Sequence, residues 1–328
     1  MKLGIAGAGK IVTEFLSIKD EIKGLDVQAI YARSNREGKL DQICNRYRIA
    51  KYYTDYDEML KNQEIDTIYI AVLNDVHYAF CKKALEEGKH VICEKPFTVT
   101  LSQFDELSSI AQKKQLMLLE AITIPYMPYY REIQNQISKL GRVKIIECNY
   151  SQYSSRYDAF QRGEILPAFD VNHAGGALMD LNIYNIHFVT GLFGKPNSVQ
   201  YYANIEKDID VSGLLVLSYP NFQSVCIGAK DCAAPVTSNL QGDSGCIHLE
   251  QPTNSCTTFQ TLLNQQPEKI YDFNENRHRM YYEFAQMTEW IDAKNYEAVQ
   301  IRLEKSRIAL EVLVAARKSA GIIFDGDE

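Results

Sequence analysis

The sequence predicts an α/β protein in two domains: a parallel sheet flanked by helices over residues 1–121, then an α/β domain over residues 122–328 on a large, mostly antiparallel open sheet. Three observations predict it. Short apolar runs alternate with helix-spaced segments through the first 120 residues. A Gly-x-Gly turn, Gly7-Ala8-Gly9, directly follows the first apolar run. Beyond Arg142 the pattern changes to strand-like runs separated by turn pairs such as Pro220-Asn221 and Gly242-Asp243.

Taken in order, Lys2 to Ala6 is a strand and Ile11 to Ile18 an amphipathic helix. Gly7 permits a tight turn between them, and Gly9 lets a pyrophosphate approach the backbone. The free N–H groups at the helix start, through Lys10 and Ile11, would face it. Val12 holds the third fingerprint position, where Gly or Ala is usual. The second strand, Val27 to Ala32, ends in Arg33-Ser34-Asn35-Arg36, with no acid before Glu37. A carboxylate here would grip an NAD ribose; its absence, with donors from Arg33, Ser34 and Arg36, favours NADP, NAD remaining possible. Asp41 to Arg48 reads as a helix, Lys51 to Tyr53 as a strand, and Thr54 to Asp57 as a helix cap. The strand from Ile65 to Val72 runs into Leu73-Asn74-Asp75-Val76-His77. Leu73, Asn74 and His77 are candidates to touch the cofactor, His77 at its nicotinamide half. Tyr78 to Glu87 is a helix stopped by Gly88. Helix Thr100/Ser102 to Lys114 and strand Met117 to Leu119 complete a set of βαβ units, a Rossmann domain.

Within that domain the apolar strand Val91-Ile92-Cys93 ends abruptly in Glu94-Lys95-Pro96. The charged half sits at the strand's C-terminal mouth, where open parallel sheets bind ligands. Lys95 is therefore the first candidate for chemistry, with Glu94 bracing the loop beside the cofactor.

Bulk composition narrows the function classes. Hydrophobic content of 46% and charged content of 23% are globular values. A net charge of −7 without any Lys/Arg run argues against nucleic acid as a partner. There is no apolar stretch of 18 residues for a membrane helix, and the amino terminus reaches glycine too soon for a signal peptide. Eight scattered cysteines without a Cys-x-x-Cys pair imply free thiols in a reducing cytoplasm and no metal site.

The order Gly7-x-Gly9, Asn74-x-x-His77, Glu94-Lys95-Pro96 and Gly175-Gly176-Ala177-Leu178-Met179-Asp180 resembles the Gfo/Idh/MocA oxidoreductase family, as does the tail Ala315 to Gly321. The resemblance covers nearly the whole chain. It implies a nicotinamide-binding domain, Lys95 as the catalytic lysine, and a homodimer or dimer of dimers through the C-terminal sheet. The branch it resembles most contains dihydrodiol dehydrogenase, NADP-dependent xylose dehydrogenase and glucose-fructose oxidoreductase. There the fourth position after the motif aspartate is tyrosine, here Tyr184. The implied activity is hydride transfer between nicotinamide and a carbinol or carbonyl carbon of a sugar, polyol or cyclic diol.

Helical spacing puts Asp180 and Tyr184 on one face, with His187 a turn further. A lysine ammonium can stabilise a developing alkoxide, and a phenol beside it can relay the proton. The expected constellation is Lys95, Tyr184 and Asp180. Tyr153, Arg156, Tyr157, Asp170, Asn172 and His173 are candidate walls for a polyhydroxylated substrate. Two positions depart from the family pattern: Pro125 stands where relatives often carry Arg, and Asn182 where they carry Gly, which would crowd the helix. Two other functions fit the same fold: a nucleotide-binding regulator without chemistry, and a hydrolase that uses nicotinamide transiently to cleave a glycosidic bond.

Overall fold

The computed structural model describes residues 1–327, which form two compact units. The first contains Met1–Ala121 and Met280–Glu304. Its strands are β1 (Lys2–Ala6), β2 (Asp26–Tyr31), β3 (Lys51–Tyr53), β4 (Thr67–Ile70), β5 (His90–Glu94) and β6 (Leu118–Ala121). They lie in the order β3-β2-β1-β4-β5-β6, all parallel. The chain winds outward one way from β1 and the other way from β4, so the topological switch point lies between these two strands. Helices α1 (Lys10–Leu16), α2 (Lys39–Tyr47), α3 (Tyr56–Leu60), α4 (His77–Glu86) and α5 (Leu101–Lys114) make the connections.

Local chemistry sets the helix ends. The Asp55 carboxylate accepts from the Asp57 and Glu58 N–H groups, and the Thr100 hydroxyl accepts from Gln103 N–H. Gly88, at φ +77°, turns the chain beyond α4. Fully buried Leu3, Ile5, Ile30, Ile68, Ile70, Val91 and Ile92 form the sheet core. Each contributes roughly 1.5–3 kcal/mol by leaving water.

Residues 280–304 differ from the expected domain division, because they cluster with the first unit. The reason is aromatic packing: Phe284, on the helix Met280–Asp292, has its ring 4.2 Å from Phe15 and 5.0 Å from Tyr69.

The second unit contains residues 122–279 and the chain from Lys305 onward. After α6 (Pro128–Gln136) come β7 (Val143–Ser151), α7 (Tyr157–Gln161), a π turn over Leu178–Asn182 and α8 (Ile183–Phe193). Then follow β8 (Ser198–Glu206), β9 (Ile209–Ser218), β10 (Gln223–Ala229), β11 (Thr237–Gly242), β12 (Gly245–Leu249), β13 (Thr258–Leu263) and β14 (Lys269–Asp272). The last helices are α9 (Met280–Asp292) and α10 (Tyr296–Ser319). The sheet order is β14-β13-β12-β11-β7-β10-β9-β8. Every pair is antiparallel except β7 with β10. Helix α8 packs on β7 and β10. The Asn295 side chain caps the start of α10, accepting from Ala298 N–H at 3.1 Å.

Candidate active site

In the first unit, β1 turns sharply past the end of β4. Gly7 has φ +127°, and a Cβ there would stand 2.2 Å from the Ala71 carbonyl oxygen. Its N–H donates to the Tyr31 carbonyl at 2.8 Å. Only glycine fits. Gly9 precedes α1, and nothing lies within 4 Å of a Cβ built on it. The chain's own atoms thus leave room for a phosphate over this backbone. Val12 is wholly buried, Ile11 partly so, and the Lys10 side chain is 86% exposed.

After β2, Arg33, Ser34 and Arg36 are exposed. The Asn35 amide holds the turn, donating to Asp41 at 2.6 Å and to the Tyr52 hydroxyl at 3.3 Å while accepting from Leu40 N–H at 2.8 Å. No acid replaces the missing ribose carboxylate before Glu37.

Leu73 and Asn74, at the end of β4, are half-buried around a short 3-10 turn, Asn74–Val76. His77 requires a correction. Its ring is fully buried, with Nδ1 2.9 Å from the Pro96 carbonyl oxygen and Nε2 3.3 Å from that of Val72. Burial pushes its pKa down, opposed by the Pro96 and Val72 carbonyls that the ring nitrogens face. His77 braces the segment after β5 and presents no face to a nicotinamide.

The other side of Lys95 is also tied. The Tyr69 hydroxyl donates to the Glu94 carboxylate at 2.6 Å. The Tyr69 ring is itself clamped by Phe15 at 5.3 Å and by Phe284. Lys95 is half-buried, and its peptide bond to Pro96 is cis. Both neighbours of Lys95 are therefore held by residues anchored in or just after β4.

In the second unit, the Gly175-Gly176 pair has a steric explanation. A Cβ on Gly175 would lie 2.7 Å from the Pro167 carbonyl oxygen. Gly176 has φ +104°, and its Cβ would fall 2.0 Å from Asp210 Oδ1. Asp210 Oδ2 accepts from Leu178 N–H at 2.7 Å and from the Tyr201 hydroxyl at 2.8 Å. Burial raises the Asp210 pKa to about 6, opposed by those two donors and the Lys230 charge.

Asp180 and Tyr184 lie on two successive elements. The segment Leu178–Asn182 is a π turn, and α8 begins only at Ile183. Such a turn inserts one residue into the helical register and recurs at functional sites. Asp180 remains 41% exposed, whereas Tyr184 is 9% exposed with its ring 6.1 Å from that of Tyr150. The feared crowding at Asn182 is resolved by Gly228, whose absent Cβ would meet Asn182 Cβ at 2.8 Å. The Asn182 amide donates to the Cys226 carbonyl at 3.0 Å and accepts from Asn185 at 3.0 Å. Pro125 sits in a 3-10 turn, Ile124–Tyr126, before α6.

Several candidate wall residues are paired within their own region. Tyr153 donates to Asp158 at 2.6 Å, Tyr157 to Glu206 at 2.9 Å, and Asp170 accepts from Asn172 N–H at 2.9 Å. Sequence reasoning missed Tyr69, Asp210, Gly228 and Lys230. The signal for Lys230 was present: Lys230-Asp231 ends the run Gln223–Ala229 as Glu94-Lys95 ends β5.

Among the described residues, no helix is long and apolar enough to cross a membrane. The family model described as "Oxidoreductase family, NAD-binding Rossmann fold" matches residues 1–121, and the "GFO/IDH/MocA C-terminal domain" matches residues 130–248. The chain is 28% identical to scyllo-inositol 2-dehydrogenase (NADP(+)) of Bacillus subtilis over 100% of its own length and 99% of that protein's. It is 26% identical to mouse trans-1,2-dihydrobenzene-1,2-diol dehydrogenase, covering 100% and 99% of the two chains. Among solved structures it is similar to the 3-ketoreductase KijD10 of Actinomadura kijaniata, determined with NADP (TM-score 0.81, 16% identity, 97% of each chain). It is also similar to the biliverdin reductase of Synechocystis (TM-score 0.79, 18% identity, 98% and 99% covered). Those structural likenesses show the fold. The two domain matches, which together span most of the chain, establish that this protein belongs to the Gfo/Idh/MocA oxidoreductase family.

Proposed function

We propose that the protein is an NADP-preferring dehydrogenase or reductase acting on a ring carbinol or carbonyl carbon of a polyol, sugar or cyclic diol. In this reading Lys95 and Tyr184 handle the hydroxyl proton, and Asp180 binds a substrate hydroxyl. One observation supports it above the others. The Gly7–Gly9 turn follows β1, Leu73-Asn74 follow β4, and Glu94-Lys95 stand at the end of β5, three adjacent strands flanking the switch point. Ligands of open parallel sheets enter at that edge.

Gly7, Gly9, Lys10 and Ile11 would hold the pyrophosphate, Arg33, Ser34 and Arg36 the 2′-phosphate, and Leu73 with Asn74 the nicotinamide half. When bound, the nicotinamide supplies the hydride acceptor or donor. The protein supplies the proton chemistry. The Lys95 ammonium stabilises charge developing on the substrate oxygen, and the Tyr184 hydroxyl takes or returns the proton. The substrate class gains support from relatives named for a cyclitol and for a cyclic diol, both matched along nearly their whole length. Eight free cysteines, five of them buried, suit a reducing cytoplasm.

The cofactor preference is tested by Arg33→Ala and Arg36→Ala. Each removes a charge-assisted contact and should weaken NADP⁺ binding by about tenfold with little change for NAD⁺. Greater thermal stabilisation of the wild type by NAD⁺ than by NADP⁺, at equal concentration, contradicts the preference.

We also read the outer face of the second sheet as the homodimer surface, a further symmetric contact being needed for a dimer of dimers. Ile145, Tyr202, Leu214, Leu262 and Ile270 are exposed, and Tyr202 lies in register with Leu214, which pairs with Ile227. Contiguous apolar surface of this kind marks an interface. Light scattering should give twice the chain mass or a multiple of it, and Leu214→Glu should dissociate that face. A monomeric wild type contradicts it.

A further inference from the structure

Resting on the reading of Asp180 as a substrate-binding group, we infer that Lys230 is the positioning residue that fixes the Asp180 carboxylate. The Lys230 side chain is only 2% exposed, whereas Asp180 is 41% exposed. The buried ammonium contacts Asp180 Oδ2 at 3.0 Å, donates to the Ala168 carbonyl at 2.6 Å and stands 4.3 Å over the Phe169 ring. Buried charge is tolerated where such partners replace water.

The lysine backbone cannot drift. Its N–H donates to the Val211 carbonyl at 2.8 Å, and its carbonyl accepts from Ser154 N–H at 2.8 Å. The Lys230 charge also reaches Asp210, the carboxylate that receives Leu178 N–H at the start of the π turn. One immobile ammonium thus faces the carboxylate bound at the turn's first residue and the carboxylate carried on the turn. A purely structural ion pair does not require its acidic member to remain 41% exposed. A carboxylate that must face a ligand in one orientation does. Lys230 holds one oxygen and the negative charge of Asp180 in place, acting on the substrate through Asp180.

The test is a double-mutant cycle on the full chain, with NADP⁺ and the cyclitol, aldose or diol of highest kcat/KM. The variants are Lys230→Met, Asp180→Asn and the pair combined. Lys230→Gln, which keeps a donor for the Ala168 carbonyl, serves as a second lysine variant if methionine prevents folding. Each single variant should lose about tenfold or more in kcat/KM for the alcohol while Kd for NADP⁺ stays within about twofold. The combined variant should be no slower than Asp180→Asn within about twofold, as expected of a residue acting through its partner. Wild-type kcat/KM in a folded Lys230 variant, or losses that multiply in the combined variant, overturns the positioning role. Undiminished activity of Asp180→Asn instead overturns the reading of Asp180 itself, and the inference with it.

Discussion

Lys95→Ala should lower turnover by about 10²-fold or more while leaving the dissociation constant of NADP⁺ within a few-fold of wild type. The expectation rests on how Lys95 is held. Glu94, before it, is fixed by the Tyr69 hydroxyl, and Pro96, after it, by His77. Alanine leaves both braces intact and removes only the ammonium, so the loss should fall on kcat and not on folding. Tyr184→Phe removes one oxygen from a 9% exposed side chain and should produce a loss of the same order. If both groups serve one proton transfer, Lys95→Ala/Tyr184→Phe should lose less than the product of the single effects. Steady-state rates with a cofactor fluorescence titration check all three variants. Unchanged turnover in both single variants contradicts the assignment.

Gly176→Ala should have the largest effect on stability. The new methyl group requires φ +104° from an L-residue and meets Asp210 Oδ1 at 2.0 Å. Either the backbone flips or Asp210 withdraws from Leu178 and Tyr201. A cost of about 3 kcal/mol or more is expected from strain and lost buried hydrogen bonds together. For a unit of this size each kcal/mol lowers the melting temperature by roughly 2–4 °C. Gly9→Ala is the contrasting control. Its φ is −82° and its Cβ meets nothing within 4 Å, so it should melt close to wild type while binding NADP⁺ less tightly. Equal melting temperatures for Gly176→Ala and wild type contradict the steric account of the glycine pair.

The first unit was legible because its cues are local and strong. Strands β1, β4 and β5 are apolar on both faces, and Asp55, Thr100 and Gly88 punctuate the helices. Parallel strands buried on both sides produce such runs. The second sheet was harder to read. Strand β11, Thr237-Ser238-Asn239-Leu240-Gln241-Gly242, has only Leu240 as a large apolar residue, and β14 is a four-residue edge strand. Their pairing comes from neighbouring strands, which periodicity along one segment cannot reveal. The motif points to Asp180 and Tyr184, but the π turn that carries Asp180 is contacted at its ends by Asp210 and Gly228, 30 and 48 residues beyond Asp180. His77 is a cofactor candidate in the sequence because a loop histidine looks available there. Its burial against Pro96 and Val72 is a tertiary fact.

The most direct measurement is the near-ultraviolet absorbance of NADPH when the wild-type protein meets NADP⁺ and a panel of cyclitols, aldoses and diols. NADPH should appear in step with oxidation of at least one ring alcohol, and Lys95→Ala should abolish nearly all of that signal. Tight NADP⁺ binding with no turnover across the panel would contradict the account and favour a nucleotide-binding regulator. Cleavage of a glycoside without net NADPH formation would contradict it in favour of a hydrolase.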